Sequence, residues 1–285
     1  MASRYFKWRN HDVHYVKRGM GDPLLLVHNL YPGASHEEFE HNIAELANHY
    51  TVYAIDLLGF GQSDAPWIKY TAGQYVTLLR DFIEEEIGLR RTHVMATGMS
   101  CAYVCEVAVW RPDLIGRLVF VCPRSEPVGL ETPRWIAPLQ RFVMSTPFGG
   151  GLYDTISCEY ELAMFLQNCF HNHKQIRPAK VARLHENAMK KGSTHAYASL
   201  MTGFLDSNIF KSLPHVQSPV CLIWGRQARP TPVEHSVRLT SIARKCTLKV
   251  VENAGSWVHD EQSAKVNRMV HEFLSAETPA TVGVG

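Results

Sequence analysis

A doubly wound, mostly parallel α/β sheet with a helical segment inserted into it is the fold this sequence predicts. The first observation is a recurrence of short, nearly continuous apolar runs at Leu24 to Val27, Val52 to Ile55, Val94 to Ala96, Leu118 to Cys122 and Val220 to Trp224. Unbroken runs of that length suit strands covered on both faces, whereas a half-exposed strand alternates. The second observation is that helical periodicity fills most of the gaps between them, and strand–helix alternation builds a parallel sheet.

The helices carry their own signals. Ser35 followed by Glu38 has the spacing of a capping box ahead of one helix. Tyr75, Leu78, Leu79, Phe82 and Ile83 form an apolar stripe at helical spacing that Gly88 ends, and Val266, Met269, Val270, Phe273 and Leu274 repeat the pattern near the carboxyl end. Between Arg124 and about Pro214 the strand runs stop and aromatic, Met-containing helical stretches such as YELAMFLQNCF take over. The expected division is a core of residues 1–123 and 215–276, a helical cap of residues 124–214, and a disordered tail of residues 277–285. Phe142, Met144, Tyr153, Tyr160, Met164, Phe165, Tyr197, Met201 and Phe204 are the cap side chains expected to line a sheltered pocket or to pack on one another.

Composition sets limits on function. The chain has 285 residues, 46% of them hydrophobic, enough to bury one large core. With 29 basic and 27 acidic residues and no long charge run, a net charge of +2 gives no electrostatic reason to expect nucleic acid or an anionic membrane as partner. A small-molecule ligand is the expected partner, and a homodimer is compatible with the sequence. Seven scattered cysteines read as reduced thiols rather than a disulfide framework. No run approaches a membrane span and MASRYFKW has no secretion signal, so the expected location is cytoplasmic. No cofactor is called for, and no metal: His171 with His173, and His36 with His41, lack the spacing of a zinc site.

The motifs come in a telling order. LLLVHNLYPGAS (Leu24 to Ser35) is a strand running into a loop, and YTVYAIDLLGFGQSD (Tyr50 to Asp64) is a strand running into a glycine-rich turn. HVMATGMSCAYVCEVAVWRP (His93 to Pro112) is strand, tight turn and helix, the layout of a G-x-S-x-G elbow with Ala96, Thr97, Gly98, Met99 and Ser100 at its five places. VCLIWGRQARPTP and VVENAGSWVHDEQ follow. Together these resemble the α/β-hydrolase superfamily along nearly the whole chain, and the resemblance implies an α/β-hydrolase fold with an inserted cap. It also implies that the nucleophile falls at Gly98, the acid at Ala228 and the base at Ser256. None of the three can play its part, so the chain resembles a member without the triad.

The altered site is expected beyond the carboxyl ends of the strands, with His28, Asn29, Leu30, Tyr31, Thr97, Gly98, Met99, Arg124, Ser256 and Trp257 as substrate-binding candidates. Gly98 relaxes a turn that is strained for other residues. Asn29 replaces the glycine that the resemblance leads one to expect, and is either a donor to a ligand carbonyl or a tie for its own turn. The backbone N–H groups of Leu30 and Met99 are the expected oxyanion donors. Ser100 and Cys101 read as packing residues, Thr97 and His259 as secondary candidates for a relocated nucleophile and base. Arg124 with Glu126, and Arg229, are either substrate contacts or ion pairs.

Removing the nucleophile or the base from such enzymes costs about six orders of magnitude in turnover. The leading expectation is therefore a non-hydrolytic step, a cyclisation, elimination or isomerisation in small-molecule metabolism of the natural-product kind, driven by orientation and carbonyl polarisation. A non-catalytic ligand- or partner-binding protein is one alternative. A hydrolase with relocated catalytic residues is the other. Fold alone does not choose among them.

Overall fold

The computed structural model describes residues 2–124, 142 and 146–276. Eight strands form one sheet in the order β1-β2-β4-β3-β5-β6-β7-β8. β1 (Ala2–Trp8) and β2 (His11–Arg18) make an antiparallel hairpin whose two-residue turn, Arg9 and Asn10, has φ of +46° and +68°. Both turn residues being left-handed is the conformation that matches the twist of paired strands. β3 (Asp22–Val27) and β4 (Tyr50–Ile55) follow, then β5 (Thr92–Thr97), β6 (Ile115–Val121), β7 (Val220–Gly225) and β8 (Cys246–Val251). From β4 onwards along the sheet, every pairing is parallel. This is the mostly parallel α/β sheet that the apolar runs and the helical periodicity predict.

Each apolar run lies within or overlaps one of the five central strands, β3 to β7, and Leu24, Leu25, Leu26 and Val27 are all fully buried. The helices pack on both sides. α1 (Glu40–Leu46) follows a short 3-10 turn at His36–Phe39, and α2 (Ala72–Asp81) runs on through a wider turn at Phe82–Ile87 to Gly88, which ends it at φ +91°. α3 (Ser100–Trp110) buries residues all round because sheet and helices enclose it. Between β6 and β7 the described chain is helical: α4 (Pro147–Ile156), α5 (Glu159–Cys169), α6 (Pro178–Ala188), α7 (Ser193–Met201) and α8 (Ile209–Ser212). α9 (Glu234–Ile242), α10 (Val258–Glu261) and α11 (Ser263–Ser275) complete the core, and α11 buries Val266, Val270 and Leu274. No described helix is long and apolar enough to cross a membrane.

The capping box expected at Ser35 and Glu38 does not form. Ser35 Oγ accepts from the Glu37 N–H at 3.3 Å, while the Glu38 side chain turns inward to partners on two other segments, the loop after β3 and the end of β5. A buried carboxylate offered several donors gains more from them than from one exposed cap. The box that does form is at α2, between Thr71 and Gln74.

Asp56, at the end of β4, ties the amino-terminal hairpin to the 3-10 turn. Its Oδ1 accepts from His36 N (2.6 Å) and His36 Nδ1 (2.9 Å), and its Oδ2 from His14 Nδ1 (2.8 Å) and Gln62 N (2.8 Å). The ligand-capable atoms of His14, His36 and Asp56 lie within 4.8 Å of one another, but both carboxylate oxygens already receive two donors each. The group is a hydrogen-bonded lock.

Candidate active site

The chain runs from β3 to β4 on one side, then crosses back to place β5 on the other side of β3. That reversal opens a crevice at the carboxyl ends of β3 and β5, where open α/β sheets hold their ligands. A cavity of about 90 Å³ lies there, bounded by Asn29 to Tyr31 after β3, Thr97 and Gly98 at the end of β5, Cys122 and Arg124 after β6, and Ser256, Trp257 and His259 after β8. Glu38 and Phe165 also line it.

Of the ten substrate-binding candidates, eight border this cavity, and His28 and Met99 do not. His28 is fully buried, donates from Nδ1 to the Asn29 carbonyl at 2.6 Å and accepts the Leu57 N–H on Nε2 at 3.0 Å. Burial, outweighing nearby Asp56, lowers its affinity for a second proton. It is a neutral brace for the loop. The Met99 N–H, expected to await an oxyanion, instead donates to Asn29 Oδ1 at 2.9 Å. Among the degenerate positions, Ala228 is buried outside the cavity lining, and Ser256 Oγ donates to the Cys169 carbonyl at 3.4 Å.

Gly98 explains where the Asn29 side chain sits. Its φ is +52°, and a Cβ built there would stand 2.3 Å from Asn29 Cγ and Oδ1. Asn29 thus fills the space that a side chain at position 98 would need. Gly98→Ser is expected to destabilise by about 1–2 kcal/mol from the left-handed backbone alone, and further from the clash. Asn29→Gly should remove the second part only. Denaturant unfolding of the two single variants and the double variant measures the coupling; strict additivity would contradict the contact.

Ser100 and Cys101 point away from the chemistry. Ser100 Oγ donates to the His28 carbonyl at 2.6 Å, and burial pushes the Cys101 thiol well above its ordinary value, which suits packing. Of the cap side chains expected at the pocket, Phe165 borders the cavity, whereas Phe142, Tyr160 and Met164 are exposed and the buried Tyr153 hydroxyl donates to the Ala188 carbonyl at 3.1 Å. Tyr197, Met201 and Phe204 are partly buried and are not part of the lining. Met144, Glu126 and residues 277–285 lie outside the described residues. Arg229 is exposed.

The group that sequence reasoning missed is Glu38. It is 4% exposed and accepts from Thr97 Oγ1 at 2.6 Å, Tyr31 Oη at 2.9 Å and Asn29 N at 3.1 Å. His259 Nε2 stands 3.4 Å from Glu38 Oε1, an ion-pair separation without hydrogen-bond alignment. Burial works to raise the Glu38 carboxyl, but His259 and the Thr97 hydroxyl outweigh it and hold it below the usual carboxylate range. Burial, reinforced by that carboxylate, pushes the Tyr31 phenol well above its ordinary value, so Tyr31 remains a donor.

The profile of the alpha/beta hydrolase family matches residues 24–269, and the chain belongs to that family. A Pseudomonas sp. protein named 2-hydroxy-6-oxononadienedioate/2-hydroxy-6-oxononatrienedioate hydrolase is 26% identical over 271 residues, covering 93% of each chain. A 2-hydroxy-6-oxo-6-(2'-aminophenyl)hexa-2,4-dienoic acid hydrolase from Metapseudomonas resinovorans is 23% identical, covering 95% of this chain and 90% of its own. The solved structure of a serine hydrolase involved in carbazole degradation superposes with a TM-score of 0.80 over 96% of this chain and 98% of its own, at 21% identity, a likeness of fold.

These names correct the leading functional expectation. Relatives aligned over more than nine-tenths of the chain are hydrolases, which overturns the expected cyclase, eliminating or isomerising enzyme, its natural-product setting and the non-catalytic binder. The expectation treated three vacant side chains as the loss of hydrolytic chemistry. It gave Thr97 and His259 a secondary place, and both line the same cavity as Glu38.

Proposed function

We propose that this chain is a hydrolase of a small carbonyl compound of the 2-hydroxy-6-oxo-dienoate class, working without a Ser–Asp–His triad and with its catalytic groups relocated. The observation that carries the reading is the cavity at the strand ends, where a buried carboxylate, an imidazole, a phenol and a hydroxyl meet in a chain aligned end to end with hydrolases of such compounds.

Hydrolysis at a carbonyl needs a hydroxide equivalent on carbon and donors for the oxygen that becomes charged. With no side chain on Gly98, the attacking oxygen is that of water rather than of an acyl-enzyme nucleophile. Asn29 Oδ1 is held by the Met99 N–H, which leaves its Nδ2 as an amide donor beside the space above Gly98. At about 90 Å³ the cavity is well below the ~300–1,000 Å³ of drug-sized sites. Phe165 and Cys169 of α5 close one side of it.

Incubation with 2-hydroxy-6-oxononadienedioate, followed by loss of its conjugated chromophore and mass spectrometry of the acids formed, tests this. Expected is hydrolysis more than about 10⁴-fold above the uncatalysed rate. Binding and polarisation alone leave roughly 10³ to 10⁴, so a rate at or below that level contradicts a relocated catalytic set.

A further inference from the structure

We infer that Glu38 is the catalytic carboxylate of this chain, with the Thr97 hydroxyl carrying a proton to it from the attacking water and His259 as its charge partner. This rests on the hydrolase reading above and names the groups that perform the step. Three observations place Glu38 there. It borders the cavity, its two oxygens accept from Asn29 and Tyr31 after β3 and from Thr97 on β5, and His259 on α10 faces Oε1 at ion-pair distance. Its neighbour Thr97 is the residue immediately before Gly98, so the hydroxyl bonded to Glu38 Oε1 adjoins the place where a nucleophile would otherwise stand. And His259, 1% exposed, presents Nε2 to Glu38 Oε1 at 3.4 Å, so a second titratable side chain faces the carboxylate at the cavity wall.

Water in the cavity adds its oxygen to the substrate carbonyl carbon. As that bond forms, the water gives a proton to Thr97 Oγ1 while Thr97 passes its own to Glu38 Oε1, and the carbonyl π electrons move onto oxygen beside Asn29 Nδ2. Collapse of that oxyanion restores the carbonyl and breaks the bond to the leaving carbon, which takes the proton back from Glu38 through the same hydroxyl. Protons and electrons balance with water as the only co-reactant. His259 stabilises the Glu38 carboxylate that must be ionised at the start. It is a positioning residue.

The test compares wild type with Glu38→Gln, Thr97→Val, Thr97→Ser and His259→Gln, using 2-hydroxy-6-oxononadienedioate and reading kcat, KM, the pH profile and Tm. Glu38→Gln and Thr97→Val should each lower kcat by about 10²–10⁴-fold, the usual worth of a positioned acid–base group, with KM little changed. Thr97→Ser, which keeps the hydroxyl, should stay within about tenfold of wild type. His259→Gln should move the acid limb of kcat/KM towards higher pH, because the group that holds the Glu38 carboxyl down is gone. An active wild type whose Glu38→Gln variant folds and keeps full turnover overturns the assignment and leaves the hydrolase reading standing. So does Thr97→Val matching Thr97→Ser, even where Glu38→Gln fails to fold. A wild type that hydrolyses nothing overturns the hydrolase reading and the assignment together.

Discussion

Asp56→Asn should cost about 3–5 kcal/mol of folding stability, the range for removing one partner from a buried charged pair. Asp56 is fully buried, and four N–H donors from three segments of chain end on its carboxylate. An asparagine in its place has one acceptor oxygen and turns an NH₂ group towards the donors that faced the other. The carboxyl is held far below its ordinary range: burial opposes ionisation, but the hydrogen bonds from His14 and His36 and the charge of His36 prevail. His36 is raised above 6.5 because Asp56 outweighs the burial that would lower it. The signs then follow. A depressed carboxyl contributes stability above its unfolded value and loses it only as pH falls through the folded one, well into acid. A raised imidazole contributes below 6.5 and loses it as pH rises from there through the raised value. Wild type should therefore weaken on both sides of a weakly acidic optimum, and Asp56→Asn should remove both slopes. Urea unfolding across pH checks this; a loss under about 1 kcal/mol would mean that Asp56 is not the tie described. Because His36 stands two residues before Glu38, the same lock fixes the segment that delivers Glu38 to the cavity.

Glu261→Ala should cost about 3 kcal/mol and raise KM. The Glu261 carboxylate is 6% exposed and accepts backbone N–H groups from His171 (3.1 Å), Asn172 (2.5 Å) and Gly255 (2.7 Å). It therefore pins the segment after α5 to the loop that carries Ser256, Trp257 and His259. The two backbones are in close approach: a Cβ on Gly255 would fall 2.0 Å from the Cys169 carbonyl oxygen. Buried donors left without a partner cost about 1–3 kcal/mol each, less where water reaches them. Unfolding midpoints and steady-state kinetics test the two halves of this expectation. A loss below about 0.5 kcal/mol with unchanged KM would show that the seam holds without Glu261.

The central sheet was readable because strands such as Leu24 to Val27 and Val220 to Trp224 are buried on both faces and leave unbroken apolar runs. The edges were harder to read for the opposite reason. β8 is mostly half-exposed, so Cys246 to Val251 shows no such run, and the amino-terminal hairpin turns at Arg9 and Asn10 rather than at a glycine. At the site, motif spacing singled out Gly98 and Ser256, and both border the cavity. Glu38 was not singled out. Its spacing from Ser35 offered a local role as a helix cap, and only the fold shows that it reaches Tyr31, Thr97 and His259. The signal that pointed towards it was indirect: a titratable group, His259, stands three residues after Ser256, which occupies the place where the resemblance puts the base. Asn29 was seen as a change at the pocket mouth, but its fit into the space above Gly98 is a contact between loops 69 residues apart in sequence, which no local pattern encodes.

Residual hydrolysis after treatment with a serine-directed fluorophosphonate tests the central claim, a hydrolase with no nucleophile at the elbow. The protein should keep its intact mass and its full rate on 2-hydroxy-6-oxononadienedioate, since Gly98 has no side-chain oxygen, Ser100 is tied to the His28 carbonyl and Thr97 is bound to Glu38. Stoichiometric phosphonylation with loss of turnover would contradict it, because it would place an activated nucleophile in the cavity.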